Sequence, residues 1–183
     1  MDGQRIPVTV TFALDDGATY GFHLGAYDPT LPLVIDPTVL VYCGYIGGND
    51  DDYGWGIAVD NAGNVYVSGN TRSTETTFPV TVGPDLSHNG GWDVFVAKVN
   101  TAGTALVYAG YIGSSADEYS LGLAVDGAGN AYVTGTTSGG LPVTVGPDLT
   151  YNGGWDGYVV KVNASGTALV YAGYIGGSGL DAP

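Results

Sequence analysis

Basic residues are nearly missing: four Lys and Arg stand against 18 Asp and Glu, a formal charge of −14 over 183 residues. Nucleic acid and anionic membrane surfaces are gripped through clustered Lys and Arg, so neither is an expected partner. The acid excess fits two roles, keeping a Gly-rich chain soluble or presenting a face that collects cations. A single cysteine, Cys43, rules out an intrachain disulfide. No apolar run is long enough to span a bilayer as a helix, so membrane insertion by that route is not expected. Met1-Asp-Gly-Gln-Arg-Ile-Pro7 lacks the basic and apolar regions of a secretory signal. An export signal, if there is one, is therefore expected on a part of the polypeptide outside this sequence. No window holds a sustained helical period. His-Glu-x-x-His, a phosphate-cradling Gly loop with Lys, and a Gly-x-Ser-x-Gly elbow are all absent. The two histidines do not repeat each other: His88 aligns with Tyr151 and His23 lies outside the repeats. No catalytic residue is assigned, and the chain reads as a non-enzyme.

What the chain does have is repetition. Leu40-Val-Tyr-Cys-Gly-Tyr-Ile-Gly47 recurs as Leu106–Gly113 and Leu169–Gly176, with Ala109 and Ala172 in place of Cys43. That substitution reads Cys43 as a small packing residue. The first interval is 66 residues (Leu40 to Leu106) and the second 63 (Leu106 to Leu169). A three-residue shortening in the Ser/Thr-rich stretch before Leu141 accounts for the difference and marks a surface loop. A fixed period of this size means a supersecondary unit that buries its apolar faces by stacking on its neighbours. With 32 Gly, 14 Tyr and frequent Val and Thr, the units are all-β.

Four strands are expected per unit. In the first unit they lie near Ile57–Asp60, Val65–Ser68, Val94–Asn100 and Leu106–Ile112. The turns Asn61-Ala-Gly-Asn64 and Thr101-Ala-Gly-Thr-Ala105 close two tight hairpins. Their counterparts lie around Gly129 and Gly166. Val94–Val99 and Tyr158–Val162 are apolar on both faces, as suits a sheet sandwiched between others. Lys98 and Lys161 recur there and read as lysines snorkelling at the sheet edge.

The Leu-Val-Tyr…Tyr-Ile-Gly-Gly opening, Asp51-Asp-Tyr-Gly54, Ile57–Val67 and Asp93–Asn100 together resemble the SBBP repeat, a bacterial seven-bladed β-propeller repeat, over about residues 40–177. Tyr27–Pro37 looks like the segment that precedes such arrays in large bacterial surface proteins. The resemblance implies an extracellular or envelope-associated propeller with no shared catalytic residues. It divides the chain into a lead-in hairpin or irregular blade (1–39), the outer strand of a preceding blade with its connection (40–52), two blades (53–113 and 114–177) and a tail (178–183). Val8–Phe12 and Tyr20–Leu24 flank a hairpin turn, and with Leu33–Ile35 and Leu40–Ile46 they are the candidate strands of a partial or irregular N-terminal blade. Propellers close with about four to eight blades, so two complete units need either further blades of a longer polypeptide or several copies of the chain in one ring.

In an up-and-down meander the tight turns share one end. The acidic connection 47–55 and the long connection 70–92, with counterparts 113–120 and 136–155, share the other, the candidate binding end. Asp50, Asp51 and Asp52, with Asp117 and Glu118, are carboxylates of the kind that ligate calcium, or that accept N–H bonds from a turn. The EF-hand spacing is missing. Asn89, Trp92 and Asp93, repeated as Asn152, Trp155 and Asp156, form an aromatic platform beside polar groups that suits a carbohydrate; alternatively, the tryptophans pack between blades. Trp55 has no aromatic counterpart at Leu121. The leading expectation is an interaction scaffold for a protein or glycan. A lectin-like module and a piece of a larger hydrolase, with paired carboxylates elsewhere, remain the alternatives. Asn163-Ala-Ser165 reads as turn chemistry rather than a glycosylation site.

Overall fold

The computed structural model describes residues 8–15, 19–30 and 42–182, which fall into two units, 1–39 and 40–183. Every regular element among them is a strand. In the first unit β1 (Val10–Asp15) pairs antiparallel with β2 (Thr19–Leu24), from Val10↔Leu24 to Asp15↔Thr19. This is the expected hairpin. Beyond it, Asp28 accepts hydrogen bonds from the Thr30 amide at 2.9 Å and hydroxyl at 2.7 Å, fixing the turn at Pro29. The candidate strand Leu33–Ile35 lies outside the described residues.

The second unit holds two four-stranded antiparallel meanders. In the first, β3 (Asp52–Val59), β4 (Val65–Thr71), β5 (Asp93–Val99) and β6 (Leu106–Ile112) lie side by side in chain order. In the second, β7 (Glu118–Val125), β8 (Ala131–Thr137), β9 (Asp156–Val162) and β10 (Leu169–Ile175) do the same. The hairpin turns form because Gly63 and Gly103 take φ of 86° and 69°, a region costly for other residues. Asp60 Oδ1 accepts the Ala62 and Asn64 amides at 3.0 and 2.9 Å, and Asn100 Oδ1 accepts the Thr104 amide at 2.9 Å. Asn163 Oδ1 likewise accepts the Thr167 amide at 2.9 Å, which is turn chemistry, as read.

The blades stack face to face, with β7 against β3 and β4. Tyr66, Val94, Val96, Tyr108 and Ile112 of the first blade bury against Val133, Tyr158, Val160 and Tyr174 of the second. The two-sided apolar strand is confirmed: Val94, Phe95, Val96 and Ala97 are all buried. Each fully buried apolar side chain contributes about 1.5–3 kcal/mol, so this interface dominates the stability of the pair. Polar bonds set its register: Asn70 Oδ1 accepts the Ser120 amide at 2.7 Å, and the Ser68 and Ser120 hydroxyls meet at 3.0 Å.

Three expectations change. The first strand begins at Asp52 rather than near Ile57, because Gly54 and Gly56 flank a bulge at Trp55 that breaks the alternation on which the sequence reading relied. The long connections are not open loops. Thr81 and Val82 bond to Ala109, and the Tyr111 amide donates to Asp85 at 2.8 Å, so residues 81–85 run along the outer edge of β6. Residues 144–148 cover β10 in the same way, which shields both outer edges from pairing with another sheet. Finally, residues 42–47, expected as the outer strand of a preceding blade, form no ladder among the described residues.

Candidate binding surface

Each Asn-Gly-Gly-Trp-Asp loop folds around a carboxylate. Asp93 opens β5, is fully buried, and accepts the Asn89 amide at 2.8 Å through Oδ2. Asp156 opens β9 in the same state, accepting the Asn152 amide at 2.9 Å. The Asn side chains also turn inward, donating to Asp85 at 2.8 Å and Asp148 at 3.0 Å. The polar half of the proposed sugar platform is therefore consumed in closing the loop. Oδ1 of both aspartates is buried without a hydrogen-bond partner. Desolvation pushes the Asp93 carboxyl up to about 7, with the nearby Glu118 charge acting in the same direction.

The tryptophans meet tyrosines instead. Tyr53, Trp92, Tyr119 and Trp155 form a continuous row with ring centroids 5.5, 6.2 and 5.6 Å apart, crossing from one blade to the next. Trp92 and Trp155 are half-buried, and Tyr53 at the end of the row is 51% exposed. The Arg72 guanidinium lies 4.9 Å above the Trp92 ring, a cation–π contact. The Trp92 amide donates to Asp117 Oδ1 at 2.9 Å, and the Trp92 carbonyl accepts the Glu118 amide at 2.7 Å. Each tryptophan thus latches its blade to the start of the next repeat. Trp155 does so with residues 179–181.

The acidic connection is a set of staples. Asp52 Oδ2 accepts the Gly48 amide at 2.7 Å and the Ser73 hydroxyl at 3.0 Å. Its repeat counterpart Glu118 is buried and accepts the Ser114 amide at 2.8 Å and the Thr137 hydroxyl at 2.9 Å. Burial pushes the Glu118 carboxyl up. Asp50 Oδ1 accepts the Asp51 amide at 2.9 Å. Among the described residues no group of three or more His, Cys, Asp or Glu is placed to hold a metal ion. With these carboxylates already bonded to amides and hydroxyls, adding calcium or EDTA is expected to leave the melting temperature unchanged. A calcium-dependent rise in a thermal scan would reverse that reading.

Sequence reasoning missed a second repeated cluster, at the tight-turn end. Lys98 Nζ lies 3.5 Å from Asp60 Oδ2 and 4.8 Å above the Tyr66 ring. Lys161 repeats this with Asp126 at 3.6 Å and Tyr132 at 4.9 Å. These lysines are clamped, not merely snorkelling. The Tyr66 hydroxyl stands 3.1 Å from Asp60 Oδ2 and 3.0 Å from the Gly129 carbonyl of the next blade, so it can donate across the junction. A shallow groove of about 230 Å³ beside Lys98 and Gly129 marks the place. Asp60, Asn64, Tyr66 and Lys98 all recur in register at Asp126, Asn130, Tyr132 and Lys161, which was the available signal. His88 rests edge-on against Tyr111 at 5.7 Å, its amide donates to Glu75 Oε2 at 3.1 Å, and its Nε2 is buried without a hydrogen-bond partner.

Residues 42–75 and 107–142 match the repeat family described as Beta-propeller repeat (SBBP), and residues 1–38 match a family described as Domain of unknown function (DUF7948). No curated protein matches the chain. Each SBBP match spans an outer-strand sequence together with the first two strands of the blade after it.

Proposed function

We propose that these SBBP repeats serve as a non-enzymatic interaction scaffold in a secreted or cell-surface bacterial protein. A protein or glycan ligand is held at the end of the blades that carries the aromatic row. The observation behind this reading is the row itself: Tyr53, Trp92, Tyr119 and Trp155 continue across the blade boundary, and Tyr53 leaves half its surface to solvent. Aromatic and Arg side chains of this kind anchor protein interfaces. The same exposed ring favours a second reading, a glycan whose apolar C–H faces lie on Tyr53. Asn89, Asp93, Asn152 and Asp156 give that reading little support, since their polar groups are engaged inside the loops.

Tryptophan emission tests both. An oligosaccharide that quenches it, and loses about tenfold in affinity (roughly 1.4 kcal/mol) with Tyr53→Ala, identifies a glycan ligand. A captured protein whose binding falls likewise identifies a protein ligand. Ligands indifferent to Tyr53→Ala would overturn the row as the binding surface.

A further inference from the structure

The segment Tyr42–Ile46 lacks a ladder, yet it is seated like a strand. The Tyr108 ring lies against Gly166, so closely that a Cβ there would strike it, and the Tyr42 ring lies against Gly103 in the same way. Gly103 and Gly166 are repeat equivalents, so Tyr42 holds the place on the first blade that the outer strand of the first blade holds on the second. Ile46 supports this by packing on Phe78, Phe95 and Tyr111, the counterparts of Leu141, Tyr158 and Tyr174 in the inter-blade core. Among the described residues nothing covers the rest of that face. Ile57 and Val59 are 73% and 61% exposed, whereas their counterparts Leu123 and Val125 are packed against the first blade. Cys43 is exposed, but its counterparts Ala109 and Ala172 are fully buried. Among the described residues the Asp51 carboxylate accepts no hydrogen bond, although its counterpart Asp117 takes the Trp92 amide. Each of these groups is one half of a contact made elsewhere in the same chain.

We propose that Tyr42–Ile46 is an exchangeable outer strand, and that its partner is a second copy of this chain. The segment takes the place of β10 on β9 of the second copy, so that blades stack head to tail. Residues 42–46 and 171–175 differ only at Cys43 and Ala172. The exchange therefore remakes nearly the ladder it breaks. Its net gain is burial of Ile57 and Val59 against the outward face of the second blade, where Tyr132, Val159 and Tyr171 are only half-buried while their counterparts Tyr66, Val96 and Tyr108 are fully buried. The Asp51 carboxylate then takes the Trp155 amide in place of the Gly179 carbonyl that accepts it within the chain, as Asp117 takes that of Trp92. Head-to-tail contacts of this kind are heterologous and build rings or open chains.

The proposal deepens the scaffold reading but does not depend on which ligand the aromatic row takes. Its test uses the full chain carrying Val160→Cys. Val160 pairs with Ala172 on β10, and the Ala172 amide and carbonyl bond to Val145 and Thr144 on the far side, so this is a non-hydrogen-bonded pair. Such pairs have Cα atoms about 4.5 Å apart, within reach of a disulfide. Mild oxidation is expected to link Cys43 of one copy to residue 160 of another, giving dimers and higher multimers on a non-reducing gel. Peptide mapping would confirm the bridge. In the wild-type chain, Cys43 is expected to become resistant to alkylation as concentration rises, in step with the mass from light scattering. A single-chain mass at every concentration, or growth in mass while Cys43 stays freely alkylated, overturns strand exchange. If the variant fails to fold, the wild-type measurement decides alone. In this stack Trp155 of the second copy meets Tyr53, as Trp92 meets Tyr119, so the Tyr53→Ala test is run at a concentration where the wild-type mass is that of a single chain, which keeps the two failures distinguishable.

Discussion

Thermal scans across pH are expected to place the stability maximum in acid solution, near pH 4. Asp93 sets the upper side. Its carboxyl moves from 3.8 in a free aspartate to about 7 in the fold, because the site is dry and Glu118 adds a like charge. Between those values the folded chain holds a proton that the unfolded chain has released. Stability therefore falls as pH rises through that window, by at most about 1.4 kcal/mol per pH unit for one proton. Glu118, pushed up by burial, adds to the fall. Asp60 sets the lower side. The Asn64 side-chain amide, with the Tyr66 hydroxyl and neighbouring amides, holds it down to about 2. Asp126 is lowered by Asn130 in the same manner. Their contribution is complete above pH 4 and is lost as pH falls through the folded value. Asp93→Asn is the decisive variant. Its melting temperature relative to wild type should climb from pH 5 to about pH 7 and then level off by pH 8, because the variant has no charge to bury. A constant difference across that range would mean Asp93 is ionised throughout.

The features legible in the sequence were those whose cause is local. Val94–Val99 reads as a two-sided strand because burial on both faces selects apolar residues at every position, and the structure buries them. Gly63, Gly103, Gly129 and Gly166 announce hairpins because positive φ is a property of the turn itself. The missed features depend on partners distant in the chain. Val80-Thr-Val82 looked like part of a loop, but Phe78 and Val80 pack into the core beneath the outer edge of β6, which no local pattern reveals. Asp50, Asp51, Asp52, Asp117 and Glu118 read either as calcium ligands or as acceptors of turn N–H bonds, because acid clusters and amide-capping acids have the same composition. Only geometry shows Asp52, Asp117 and Glu118 accepting amide N–H bonds. Asp93 and Asp156 carry the same ambiguity. Next to a tryptophan an aspartate suggests a ligand site, yet both open a buried strand and close their own loop.

Removing the Tyr66 side chain should be the most damaging single change at the blade junction. Tyr66 is fully buried, meets Tyr108 edge-on at 6.2 Å, lies under Lys98 at 4.8 Å and reaches the Gly129 carbonyl of the next blade at 3.0 Å. Tyr66→Ala deletes an aromatic ring from the interface and leaves a cavity, a loss of about 3–5 kcal/mol. It also strips Asp60 and Lys98 of the ring and hydroxyl that help neutralise them. Tyr66→Phe keeps the ring and removes the hydroxyl with its contacts to the Gly129 carbonyl and to Asp60, at a cost of about 1–2 kcal/mol. The repeat supplies an internal control. Tyr132 has the same neighbours, Asp126 at 2.9 Å and Lys161 over its ring at 4.9 Å, but it is only half-buried and among the described residues its hydroxyl meets no carbonyl of another blade. Tyr132→Ala is expected to cost less than half as much as Tyr66→Ala in denaturant titrations. Equal losses at the two sites would mean that the tyrosine acts within its own hairpin, through Asp60 or Asp126, and that the contact with Gly129 contributes nothing to holding the blades together.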